Sequence, residues 1–199
     1  IIKVINEVAN LVNHDQTIGD KLKIVFLPNY NVSLAEKIIP AADVSEQISL
    51  ASKEASGTSN MKLMLNGAIT IATLDGANVE IRDAVGDENI YIFGLTEAEV
   101  YAYYENKNYS SREVYETNPI VHRVLNAFVD GSIPNIEREG QEIVDSLLLY
   151  NDEYFLLRDF DAYCKAQARL NQDYQDATHW QKCSLINIAN AGTFSADKT

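Results

Sequence analysis

The chain is punctuated by three short apolar runs, "KLKIVFLPN" (21–29), "AITIATLD" (68–75) and "NIYIFG" (89–94), each followed by a segment with helical spacing. Runs of this length, rich in β-branched residues and without polar alternation, are the signature of strands buried on both faces of a sheet. Alternation of such strands with helices predicts βαβ units and a parallel sheet, an α/β fold. After Thr96 no strand pattern recurs, and the remainder reads as amphipathic helices. We therefore expect a single domain over 1–199, with an α/β part over 1–95 and a mainly helical part over 96–199.

Local signals mark several boundaries. Ile1, Ile5, Val8 and Val12 recur at helical spacing, and Asn13-His14-Asp15 closes that helix. Ser33 and Glu36 have the spacing of a capping box, as do Thr96 and Glu99, and Asn118-Pro119 opens a further helix. Asp75-Gly76 reads as a turn before a short helix in "GANVEIRDAVG". Tyr101, Tyr103, Tyr104, Tyr154, Phe155, Phe160, Tyr163 and Trp180 read as core and inter-helix contacts.

Charge narrows the function. With 16 basic and 29 acidic residues the net charge is -13, which disfavours a nucleic acid or an anionic membrane as partner. No apolar run approaches the ~20 residues of a membrane-spanning helix, and no signal peptide opens the chain. Cys164 and Cys183 read as buried thiols of a cytoplasmic protein. His14, His122 and His179 are scattered without ligand spacing, so no metal site is expected. The chain has no initiator Met and opens inside a helical pattern, from which we expect a piece of a longer protein.

One stretch carries chemistry: "KEASGTSNMKLMLNG", 53–67. Small polar residues precede a helix there, and unpaired N–H groups at a helix start make an anion site. Gly57 allows close backbone approach, while Thr58 and Ser59 add hydroxyl donors. Lys62 sits against the helix dipole, a placement that an anion over the helix end would offset. Its neighbours Met61, Leu63, Met64 and Leu65 lead us to expect a desolvated amine, the form that Schiff-base chemistry needs. A phosphate site beside such an amine points to pyridoxal phosphate. The bland alternative is an ordinary capped helix with a surface lysine.

The segment "EASGTSNMKLMLNGAITIATLDGANVE" closely resembles the cofactor-attachment region of the α-glucan phosphorylases. The likeness runs upstream through "VFLPNYNVSLAEKIIPAADVSEQIS" and downstream to "NIANAGTFSADKT", so it covers the whole chain. The family pattern Glu-Ala-Ser-Gly-Thr-Gly/Ser-Asn-Met-Lys is met in full, with Ser59 at the variable position. The resemblance implies the C-terminal part of a GT-B fold, two Rossmann-like domains facing a cleft. It implies that Lys62 binds pyridoxal 5'-phosphate as a Schiff base, with Gly57, Thr58 and Ser59 along its phosphate and Tyr30 against it. Glu54, Ser56 and Gly57 would face the glucosyl residue. The implied reaction is cleavage of a terminal α-1,4 glucosidic bond of an α-glucan by inorganic phosphate, with retention, giving glucose 1-phosphate. In it the cofactor phosphate does the acid–base work. Full-length members are expected to be homodimers, and this chain alone is expected to be inactive. A sugar-nucleotide glycosyltransferase of GT-B fold and a non-catalytic structural module are the alternatives. Asp43, Glu46 and Gln47 are polar loop residues placed to support the site.

Overall fold

A computed structural model describes residues 1–198. In chain order its helices are α1 (Ile2–His14), α2 (Val32–Ile38), α3 (Ser59–Leu65), α4 (Asn78–Val85), α5 (Glu97–Asn106), α6 (Ser111–Thr117), α7 (Pro119–Ala127), α8 (Glu137–Val144), α9 (Leu156–Tyr174) and α10 (Ala177–Asn190). The strands are β1 (Val44–Gln47), β2 (Ile69–Ala72) and β3 (Tyr91–Ile92). The mixed α/β class is therefore as the alternation of patterns predicts, and every described element after Ile92 is helical.

The chain forms two compact units. The first comprises residues 1–30 and 109–157, the second residues 31–108 and 158–199. The second unit holds the sheet. Its strands run parallel in the order β1-β2-β3, with Val44 opposite Ile69, Gln47 opposite Ala72, and Ile71 opposite Tyr91. Central β2 is buried at all four positions, as a parallel strand covered on both faces must be. One core, of Ile69, Ile71, Tyr91, Phe93, Leu170, Trp180 and Cys183, joins the sheet to α9 and α10. A second, of Met64, Ile81, Val85, Ile90 and Ala191, joins α3 and α4 to the residues after α10. Tyr91 lies in the first core with its hydroxyl donating to Asp173 at 2.8 Å. Burial, and then that carboxylate, push its pKa above the usual phenol range.

Thr96 and Glu99 make a full capping box on α5. The Thr96 side chain accepts from the Glu99 N–H, and the Glu99 carboxylate accepts from the Thr96 N–H at 2.8 Å and from its hydroxyl at 2.7 Å. These two bonds, the backbone one foremost, hold the Glu99 carboxyl below its usual pKa. A depressed folded-state pKa contributes stability above the unfolded value that is lost as pH falls through the folded one. Thr96→Ala is expected to cost about 1 kcal/mol, a Tm loss of roughly 2–4 °C. That loss should shrink on acidification below the ordinary glutamate pKa; a pH-independent loss in thermal melts would contradict the role of the carboxylate.

Four expectations are corrected. "KLKIVFLPN" forms no strand: it runs through the first unit without a ladder partner, and Leu22, Val25, Phe26 and Leu27 are exposed. Its tie is instead the Asn13 side chain, which donates to the Ile24 carbonyl at 2.8 Å and accepts from its N–H at 2.9 Å. The cap of α2 is Asn31 rather than Ser33, because extended Asn31 accepts from the Leu34 N–H at 3.1 Å and places Ser33 inside the helix. Cys164 is exposed, while Cys183 is buried. Phe155 and Trp180 are buried, but Tyr101, Tyr104 and Tyr154 are exposed. Helix α6 had a readable signal, since Ser110 accepts from the Glu113 N–H at the Ser-x-x-Glu spacing. Among the described residues no helix is long and apolar enough to cross a membrane.

Candidate active site at the carboxyl ends of the parallel strands

Two loops leave the carboxyl ends of adjacent parallel strands, 48–58 after β1 and 73–77 after β2. That edge is where open α/β sheets bind ligands. The loops are joined first by the sheet itself, as Thr73 N–H donates to the Gln47 carbonyl at 3.1 Å and the Thr73 hydroxyl donates to the Ser49 carbonyl.

Residues 53–58 arch over this edge and enter α3. Glu54 is exposed, and its carboxylate accepts from the Ser49 hydroxyl at 3.1 Å. Ser56 is exposed, with its carbonyl accepting from the Ala77 N–H at 2.8 Å. Gly57 has φ +84°, and a Cβ there would approach the Asn60 side chain to 3.1 Å. Glycine is the residue that takes this turn without strain. Thr58 is the N-cap of α3 but makes no side-chain cap bond, so its hydroxyl is not engaged by the helix. Ser59 exchanges hydrogen bonds with the Gln47 side chain at 3.3 and 3.4 Å. Gln47 is also bonded to the Ser45 hydroxyl at 3.0 Å, and it and Glu46 lie in β1 rather than in the loop expected for them. Asp43 and Glu46 instead pair with residues of α9: Tyr174 donates to Asp43, and Tyr163 and Gln167 donate to Glu46.

Lys62 differs from expectation. It is exposed, whereas Met64 is completely buried. Successive helical positions lie ~100° apart, so turning Met64 into the core carries Lys62 to the open side; apolar neighbours in sequence do not desolvate it. It lines an open depression of about 490 Å³ together with Thr58, Met61, Leu65, Ala191, Gly192, Phe194 and Ser195. At seven residues α3 is short, so the site offers donors and an amine more than a strong dipole.

Glu54, Ser56, Gly57, Thr58, Ser59 and Lys62 all belong to the second unit. Tyr30, 63% exposed, is the last residue of the first.

Asp75-Gly76 reads from sequence as a turn, and it is more. One Asp75 oxygen accepts from the N–H groups of Lys53 at 3.0 Å and Glu54 at 2.7 Å. Buried Asn60 and Asn78 are joined at 3.0 Å, and Asn78 also donates to the Thr73 carbonyl at 3.2 Å. In the sequence the carboxylate–glycine pair just beyond a buried strand marks a turn, and nothing local to it marks the bonds to residues 53 and 54.

Comparison with known proteins decides the family. The model of the family described as "Carbohydrate phosphorylase" matches residues 1–199. The chain belongs to the carbohydrate phosphorylase family. It is similar to "Glycogen phosphorylase" of Bacillus subtilis (strain 168), with 51% identity over 199 residues, all of this chain and 25% of that protein. It is 44% identical to the mouse "Glycogen phosphorylase, brain form" over 199 residues, again all of this chain and 24% of the relative. With the human "Glycogen phosphorylase, liver form" it shares 45% identity over 203 aligned residues, all of this chain and 23% of the relative. The chain thus spans about a quarter of the length of these carbohydrate phosphorylases. The parallel sheet with its covering helices is compatible with part of a GT-B fold.

Proposed function

We propose that this chain is the cofactor-bearing part of an α-glucan phosphorylase that cleaves terminal α-1,4 glucosidic bonds with inorganic phosphate, releasing glucose 1-phosphate. The observation that carries the reading is Lys62, a primary amine opening onto a depression beside the Thr58 hydroxyl within a chain matched end to end by the family.

The residues present suit pyridoxal 5'-phosphate. The depression of about 490 Å³ lies within the ~300–1,000 Å³ range of ligand pockets. Lys62 is exposed for bonding to the cofactor carbonyl, and the Thr58 hydroxyl, unused in capping α3, is a hydrogen-bond donor of the kind a phosphate accepts from. Gly57 turns the backbone at φ +84° with no side chain in the way of an anion. The chemistry that bound pyridoxal phosphate supplies is acid–base work by its phosphate group on the substrate phosphate. Lys62 would anchor the cofactor and Gly57, Thr58 and Ser59 would hold its phosphate, with Tyr30 as the further cofactor residue of this proposal. Glu54 accepts a hydrogen bond from a sugar hydroxyl, and Ser56 and Gly57 line the same sugar. The Ser49 hydroxyl on the Glu54 carboxylate limits its rotamers, so little freedom is lost when sugar binds.

Two phosphate groups brought close together need positive charge around them. Over 53–62 the chain supplies only Lys53 and Lys62. We therefore expect the 199-residue chain alone to release no glucose 1-phosphate from glycogen in phosphate buffer, while the full-length protein does. Release by the short chain would contradict its expected inactivity, and consumption of a nucleotide sugar in place of phosphorolysis by the full-length protein would overturn the phosphorylase reading. We place the protein in the cytoplasm, where the free thiols Cys164 and Cys183 persist reduced, and we take its assembled form to be a homodimer.

A further inference from the structure

We propose that Asp75 is a positioning residue, whose carboxylate clamps the 53–56 loop and thereby sets where the Glu54 carboxylate meets substrate. The proposal rests on the phosphorylase reading for the role of Glu54; the clamp itself rests on geometry.

The loop bearing Glu54 is exposed from Lys53 to Ser56 and contains no regular structure. Exposed loops without a ladder are mobile unless their backbone polar groups are tied. Here they are tied, and the ties come from the turn after β2. A single Asp75 oxygen accepts from both the Lys53 and the Glu54 N–H groups. Hydrogen bonds to a charged acceptor are roughly twice as strong as neutral ones. Ala77 N–H then fixes the Ser56 carbonyl at 2.8 Å, two residues beyond Glu54. The two chain segments approach so closely that a Cβ on Gly76 would come within 2.7 Å of the Ser56 carbonyl oxygen and 3.1 Å of the Glu54 Cγ. Gly76 also has φ +51°, so neither space nor conformation admits a side chain there. On its other side the turn is rigid: the Asp75 N–H donates to the Thr73 carbonyl at 3.0 Å, and Asn78 N–H donates to the Asp75 carbonyl at 3.1 Å. Buried Asn78 links the same turn to Asn60 at the start of α3.

The turn therefore reaches both ends of the sugar- and phosphate-facing stretch, Glu54 through Asp75 and Asn60 through Asn78. The hydrogen bonds of Asp75 all run to backbone groups, those of Lys53, Glu54, Thr73 and Asn78. It acts on backbone, and through backbone on a carboxylate whose placement decides how well a sugar hydroxyl is oriented.

The test is a double-mutant cycle in the full-length protein, with Asp75→Ala and Glu54→Ala. Asp75→Ala is expected to lower kcat/KM for glucan phosphorolysis by ~10- to 100-fold, the size of losing charge-assisted bonds that orient a substrate contact. Asp75→Asn keeps an acceptor oxygen and should recover most of that loss. In the Glu54→Ala background Asp75→Ala should cost no more than about 2-fold, since residues acting through one another are not additive. Amide exchange in the 53–56 segment should accelerate in Asp75→Ala whatever the activity, with cofactor content unchanged. Activity within about 2-fold of wild type in Asp75→Ala, or an undiminished loss in the Glu54→Ala background, overturns the proposal. If Asp75→Ala does not fold, Asp75→Ser goes through the same cycle, and the same two results overturn it. A wild-type protein that makes no glucose 1-phosphate would sink the phosphorylase reading instead, and unchanged exchange at 53–56 would sink the clamp by itself.

Discussion

Replacing Lys62 with alanine in the full-length protein is expected to abolish retention of pyridoxal phosphate and to lower phosphorolysis at least ~1,000-fold, because the other residues lining the depression carry no amine side chain. The lysine is exposed on the open side of α3, and it lines the depression with Met61, Leu65 and Phe194. Its backbone is not at risk in the substitution. The Lys62 N–H still donates to the Thr58 carbonyl, and its carbonyl still accepts from Asn66. Alanine is also the strongest helix former, so the variant should melt no lower than wild type in the absence of cofactor. Loss of function with an intact fold is what separates an anchoring role from a structural one. Lys62→Arg should fail equally, since a guanidinium is always protonated and cannot act as the nucleophile. Either variant keeping more than about a tenth of wild-type activity would contradict the anchoring role.

The second large effect concerns stability. Gly140 lies on α8, buried, with its N–H donating to the Ile136 carbonyl at 2.6 Å. A Cβ at this position would run into the Phe128 carbonyl oxygen just past the end of α7, and into backbone rather than a movable side chain. Phe128 is itself held by hydrogen bonds back to α7. A serious clash of this kind forces helix displacement, and overpacking typically costs 1–3 kcal/mol with larger losses where backbone must move. Gly140→Ala should therefore destabilise the first unit by about 3 kcal/mol, against the usual gain for alanine in a helix. In a chain of this size that corresponds to a Tm lower by roughly 6–12 °C. A melt unchanged within about a degree would show that α8 can move away from Phe128.

What could be read from sequence was whatever is encoded locally. The runs "AITIATLD" and "NIYIFG" became β2 and β3 because their own composition demands burial on both faces. Thr96 with Glu99, and Asn118 before Pro119, placed helix starts because a cap and the N–H groups it satisfies lie within one turn. Elements that depend on distant partners were less legible. "KLKIVFLPN" has the composition of a strand, yet a strand exists only where another chain segment completes its ladder. Among the described residues none does so, and Asn13 ties the backbone instead. The α2 cap is ambiguous in sequence because Asn31 and Ser33 are both competent, and helix length decides between them.

The site divides along the same line. The contiguous segment from Glu54 to Lys62 was legible because its residues are adjacent in sequence and together meet the family pattern. The exposure of Lys62 was hidden because neighbours in sequence are not neighbours on a helix. The contribution of Asp75 was hidden because it acts across 21 and 22 residues of sequence, on backbone N–H groups that any residue except proline possesses. Only the parallel pairing of β1 with β2 brings the two loops together.

The central claim is that Lys62 holds pyridoxal phosphate, and it is tested most directly by chemical trapping. The full-length protein would be supplied with pyridoxal phosphate, reduced with borohydride, digested, and its peptides sequenced by mass spectrometry. A single reduced pyridoxyl adduct on the peptide carrying Lys62 is the predicted result. An adduct confined to other lysines, or no adduct in a protein that still phosphorolyses glycogen, would contradict it.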